Sequence, residues 1–132
     1  MRADPTGVAE GRDVALTIPA RPDYLVLARL ALSAVCRLTP LSADEVADLK
    51  LAVTEAASEF VDERLVDEAE GELRFWFRLL DDRLVMELSG PSSPVPAPEQ
   101  ELSRAIIDAT VDECEFSEDR TRLVKFLGEA TG

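Results

Sequence analysis

Two apolar runs, Leu73–Leu80 (LRFWFRLL) and Leu84–Ser89 (LVMELS), are joined by the short polar stretch Asp81-Asp82-Arg83. This is the strongest hairpin signal in the chain, and it requires the fold to contain an antiparallel strand pair. The flanking patterns narrow the choice further. Val14–Pro19 (VALTIP) alternates apolar and polar residues as a half-buried strand does. Pro19 and Pro22 bracket a turn, and Pro22 sits where the first turn of a helix tolerates proline. A helix is expected over Asp23–Leu38 and ends before Pro40. Ser42-Ala43-Asp44-Glu45 reads as a capping box for a second helix. Val46, Leu49, Val53, Ala56, Ala57 and Phe60 carry that helix at helical spacing to about Arg64.

The acidic stretch Asp62–Glu72 reads as a solvated loop. Gly90–Pro98 holds four of the eight prolines and reads as a loop or lid. Helical spacing returns over Glu99–Val111 through Leu102, Ile106, Ile107 and Val111. Cys114–Phe116 and Thr121–Leu127 pair as a last hairpin across Ser117–Arg120. The order β-α-α-β-β-loop-α-β-β places two helices before a hairpin and one after it. That order gives an α+β fold, a two-layer α/β sandwich with its helices on one sheet face.

The helix over Asp23–Leu38 is apolar around most of its circumference. After its first turn the polar residues Arg29, Ser33 and Arg37 form one narrow stripe at i, i+4, i+8. A helix of this kind is covered on more than one side. A small domain has few helices with which to do that, so an interface is expected here, with a second subunit or another partner.

The 132 residues fit one domain with one core, residues 14–132, after a loose tail over residues 1–13. A formal net charge of −13 argues against nucleic acid as a direct partner and favours a basic protein surface. The absence of histidine excludes a Cys/His zinc site and catalysis by Ser-His or Cys-His pairs. Cys36 and Cys114 sit inside apolar patterns, as buried free thiols do. The first residues contain no apolar run typical of a signal peptide, and no stretch approaches a membrane span. A soluble, cytoplasmic protein with no membrane partner is the expectation.

The segment Asp48–Phe60 (DLKLAVTEAASEF) carries two carboxylates, Glu55 and Glu59, on one helix face. Together with IPARPDYLVLARLALSAV, LSADEVADLKLAVTEA and AIIDATVDECEF, it resembles the anti-sigma factor/serine protein kinase family. This is the RsbW-like branch of the GHKL (histidine-kinase-type) ATPases. The resemblance runs over about residues 14–127. It implies a nucleotide site made of three parts. In an E-x-x-x-N pattern the glutamate acts as base and the asparagine binds Mg²⁺; here the positions are Glu55 and Glu59. A D-x-G pattern reads adenine; here register places its Asp at Gly90 and its glycine at Ser92. A glycine-rich turn meets the phosphates; here the stretch is PEQELSRAII, with no glycine.

A carboxylate at position 59 can ligate Mg²⁺ but adds negative charge beside a triphosphate. With all three parts altered, Glu55 is read as a vestigial, solvated or capped carboxylate and Glu59 as a partly exposed helix-face charge. No catalytic, cofactor-binding or metal-binding residue is expected. The resemblance also implies partner-binding residues on the first helix: Arg29, with Asp23 and Tyr24. The implied function is an anti-sigma factor that sequesters an RNA polymerase sigma factor by contact. It would be released by an anti-anti-sigma (STAS-type) protein and would form a homodimer. One alternative is an active serine protein kinase using Mg-ATP, with Glu55 as base and Glu59 as metal ligand. The other is a scaffold binding STAS proteins alone.

Overall fold

The computed structural model describes residues 12–61, 71–91, 97–117 and 119–128. Strand β1 (Arg12–Pro19) leads through a 3-10 turn (Pro22–Tyr24) into α1 (Leu25–Cys36), followed by α2 (Ala43–Ser58). The hairpin β2 (Glu72–Leu79) and β3 (Arg83–Ser89) precedes α3 (Ala97–Thr110), β4 (Glu113–Phe116) and β5 (Arg120–Phe126). The sheet has the order β1-β2-β3-β5-β4, antiparallel at each junction. This is the expected order and the expected two-layer α+β architecture.

The β2–β3 turn closes with the Leu80 N–H donating to the Arg83 carbonyl, 2.9 Å. Alternation then sends Leu73, Phe75, Phe77, Leu84, Met86 and Leu88 to one face, where all are buried. Leu32, Leu49, Val53, Ala56 and Ile107 cover them from the helices. The capping box forms as expected: the Glu45 N–H donates to Ser42 Oγ (3.1 Å) and the Ser42 N–H to Glu45 Oε1 (2.9 Å).

Several boundaries differ from expectation. β1 starts at Arg12 because its ladder extends to Leu79 and Arg78 of β2, with Asp13 reaching Arg78 at 3.8 Å. The first helix begins in a 3-10 turn because Pro22 opens it. The second helix stops at Ser58 rather than near Arg64. The N–H groups of Glu59, Phe60 and Val61 bond three residues back, a tightened last turn. Phe60 and Val61 then enter the core. Arg64, most of the acidic stretch and most of the proline-rich stretch lie outside the described residues.

On α3 the inward residues are Ser103, Ile107 and Val111, while Leu102 is 65% exposed, so the helix is rotated from the face that Leu102 and Ile106 imply. Among the described residues, the chain covers α1 on one side only. Leu25, Ala28, Leu32, Val35 and Cys36 face inward, whereas Val26, Leu27, Leu30 and Leu38 face solvent. Among the described residues no helix is long and apolar enough to cross a membrane.

Candidate functional site

Glu55 and Glu59 leave the last turns of α2 one helical turn apart and meet different surroundings. Glu55 is half-buried. Its main-chain carbonyl accepts from Ser58 Oγ (2.7 Å) and from Ser103 Oγ of α3 (3.3 Å), which ties the two helices together. Glu59 is only 8% exposed, which corrects the expectation of a partly exposed surface charge. The cause is the packing of α3 along α2. It brings Arg104 to Glu59, with Nη2 to Oε1 at 3.4 Å. The Arg104 guanidinium also lies 4.4 Å above the ring centre of Phe116.

This ion pair is loose beside the usual length of about 2.8 Å for a charge-assisted hydrogen bond. Glu59 Oε2 and Arg104 Nε are buried without a partner among the described residues. Burial pushes the Glu59 carboxyl above the usual glutamate range, although Arg104 and Ser103 pull it down. Desolvation therefore outweighs the attraction, as it commonly does for an imperfectly made buried pair.

Gly90 follows directly on β3, and its N–H donates to the Asp119 carbonyl at 3.2 Å. A Cβ added here would stand 3.1 Å from Leu73 Cδ1 and 3.4 Å from Phe60 Cβ and Cδ1. A side chain at this position therefore meets packed apolar groups that would have to give way. Ser92, the other position of that pattern, lies outside the described residues. The stretch PEQELSRAII forms most of α3 and supplies Ser103 and Arg104 to the Glu59 neighbourhood.

Sequence reasoning missed Arg104, Ser103 and Phe116. One signal was available: Arg104 is the only cationic residue between Ser89 and Arg120. It is therefore the one cation that α3 can offer to a carboxylate carried inward by α2.

Asp23 and Tyr24 stand exposed on the 3-10 turn. Arg29 is half-buried and donates from Nη1 to Thr54 Oγ1 of α2 at 3.3 Å, so it braces α1 against α2. The surface beside these residues is apolar. Val26, Leu30, Ala34 and Leu38 recur every fourth residue and are all exposed, Leu30 to 61%.

Among the described residues, no three acidic or cysteine side chains lie close enough together to hold a metal ion. Burial raises the Cys36 thiol above its ordinary pKa, with Lys50 opposing. Burial and the nearby Asp108 raise Cys114, which is half-buried rather than buried as expected. Neither environment favours a nucleophilic thiolate.

The histidine kinase-like ATPase domain family matches residues 18–125. The chain is 33% identical over 102 residues to the serine-protein kinase RsbW of Bacillus velezensis, a match covering 76% of this chain and 64% of that protein. It is 32% identical over 91 residues to the serine-protein kinase RsbW of Listeria innocua, covering 67% of this chain and 58% of that protein. With the Bacillus subtilis serine-protein kinase RsbW the identity is 31% over 102 residues, 76% of this chain and 64% of the relative. The chain thus spans less than two thirds of the length of these curated relatives. On a family match that runs from the end of β1 almost to the end of β5, this chain belongs to the histidine kinase-like ATPase domain family.

Proposed function

We propose that this chain is an anti-sigma-type regulator that holds an RNA polymerase sigma factor by protein contact and is relieved by a STAS-type antagonist. The observation that carries this reading is the exposed apolar strip Val26–Leu30–Ala34 of α1, continued by Leu38 in the turn that follows it. An apolar strip rimmed by Asp23, Tyr24 and Arg37 is the composition of a contact surface with a polar border. The net charge of −13 suits the basic residues with which a sigma factor faces DNA. In this reading the protein works in the cytoplasm. The same strip also suits a homodimer, so a second copy competes with the sigma factor for it.

The regulator acts by occupancy, without phosphoryl transfer. The residues at the family's nucleotide positions fit Mg-ATP poorly. Glu59 is already engaged by Arg104, and Gly90 is closely bounded by Phe60 and Leu73. No phosphoryl-transfer step is assigned to Glu55, which stays a half-buried carboxylate at the end of α2.

Affinity capture from the native cell tests the binding reading. Recovery of a sigma factor is expected, with loss of that partner in Leu30→Asp. Recovery of a STAS protein alone favours the scaffold alternative. A thermal-shift titration with Mg-ATP tests the kinase alternative. No change in Tm is expected, and a saturable rise of about 5 °C would establish a bound nucleotide and overturn the occupancy reading.

A further inference from the structure

The sheet has a second face that the helices do not cover, and its side chains are arranged by register. One row across it runs Thr17–Arg74–Ser89–Arg120, from β1 to β5. The next row runs Ala15–Trp76–Glu87–Arg122–Glu115. In the second row Arg122 is bracketed by carboxylates and reaches Glu87 at 3.6 Å. In the first row two guanidinium groups flank a serine hydroxyl, with no carboxylate in the row. Arg74 meets Glu72 only at 3.9 Å, with both side chains well exposed. The two arginines stand on strands separated by one strand, roughly 10 Å apart. Both line a cleft of about 310 Å³ together with Thr17, Trp76, Glu87 and Ser89. Trp76 is 40% exposed, with the Arg78 guanidinium 4.8 Å from its ring centre.

We infer that this outer sheet face is a docking surface for an acidic segment of a partner protein. Arg74 and Arg120 take its carboxylates, and Trp76 takes an apolar side chain beside them. Charge complementarity carries the assignment. Arginine on a flat sheet offers bidentate donors to carboxylates, and an exposed indole supplies contact area at small entropic cost. A second copy packed face to face would oppose arginine to arginine. A nucleic acid would bring a continuous phosphate chain against Glu72, Glu87, Glu115 and Asp119, which stand around the two arginines. A short acidic segment places its charges only where the guanidinium groups stand. This face lies across the sheet from α1, so the inference goes beyond the sigma-factor reading and stands or falls separately from it.

Trp76 is the only tryptophan of the chain, so its fluorescence reports on this face. The full chain is titrated with a short capped peptide of alternating glutamate and leucine, at low and at high salt. A saturable change in emission is expected, weakened about tenfold by raising the salt and by the Arg74→Glu/Arg120→Glu variant. Both arginines are exposed, and circular dichroism confirms that the variant is folded. The milder Arg120→Gln serves if it is not, with a weaker loss expected. An unchanged emission, or a titration indifferent to these substitutions, overturns the proposal. So does tighter binding of an oligothymidylate than of the peptide, which would give the face to nucleic acid. So too does concentration-dependent association of the wild type, seen by sedimentation, that the double variant abolishes.

Discussion

On the outside of α1, leucine and valine face solvent; at the end of α2, a carboxylate faces the interior. Each region inverts the usual rule of burial, and the inversions differ in what completes them. Glu59 is met within the chain by Arg104, itself stacked on Phe116, although the pair is loose and Glu59 Oε2 finds no partner among the described residues. The strip on α1 is met by nothing in the described part of the chain. A buried charge with a counter-ion inside the chain is held by the fold itself, whereas an exposed apolar strip is one on which the proposed contact can form.

The sharpest way to break this comparison uses two leucines of α1 two residues apart. Leu32 is fully buried and Leu30 is 61% exposed. Leu32→Ala is expected to lower unfolding stability by about 3 kcal/mol. Leu30→Ala should change it by less than about 0.5 kcal/mol. Urea unfolding measures both, and equal losses would mean that Leu30 is covered.

Next in size is Arg104→Met, which leaves the Glu59 carboxylate buried without its cation. The expected loss is about 2 kcal/mol, below the figure for a fully buried pair because Arg104 is about a third exposed. Adding Glu59→Leu to that variant should recover most of it. A double variant as weak as the single one would show that the pair itself stabilises the α2–α3 contact.

On the other side of the comparison, Leu30→Asp should weaken the complex with the captured partner about tenfold or more at unchanged fold stability. Equal affinity of variant and wild type in a binding titration removes the strip from the interface.

The smallest effect is a pH dependence. Glu59 has its carboxyl pKa raised in the folded state, so the folded protein holds that proton more tightly than the unfolded chain does. Its contribution to stability is therefore present at low pH and is lost as pH rises above the ordinary glutamate value near 4.5. Glu59→Gln should remove that decline, so its stability relative to wild type grows between acidic and neutral pH. Parallel pH profiles of the two proteins would contradict the burial of this charge.

The layered fold was legible because its signals are local. Two apolar runs about Asp81-Asp82-Arg83, alternation over Val14–Pro19, a capping box at Ser42 and prolines at element ends each act within a few residues. Glu59 was misread because its environment is tertiary. Whether a residue near a helix end faces solvent depends on where α3 lies, and α3 is rotated so that Ser103 rather than Leu102 points inward. The end of α2 was missed for a similar reason, since Phe60 leaves the helix to fill the space beside Gly90. The apolar excess of α1 was legible, but the side left exposed among the described residues was not. Arg29, expected in the partner surface, is turned toward Thr54.

The strand order also bears on time. β1 pairs with β2 across two intervening helices, and β3 pairs with β5 across α3 and β4. Only the β2–β3 and β4–β5 pairs can close early from neighbouring residues. The β1–β2 and β3–β5 ladders must wait for long connections to be drawn in, which places folding in the milliseconds-to-seconds range of mixed and sheet-rich domains. A nascent chain would therefore expose Phe75, Phe77 and Met86 on an unfinished sheet until β5 arrives. The strong negative charge of the chain would help to keep such intermediates from meeting one another.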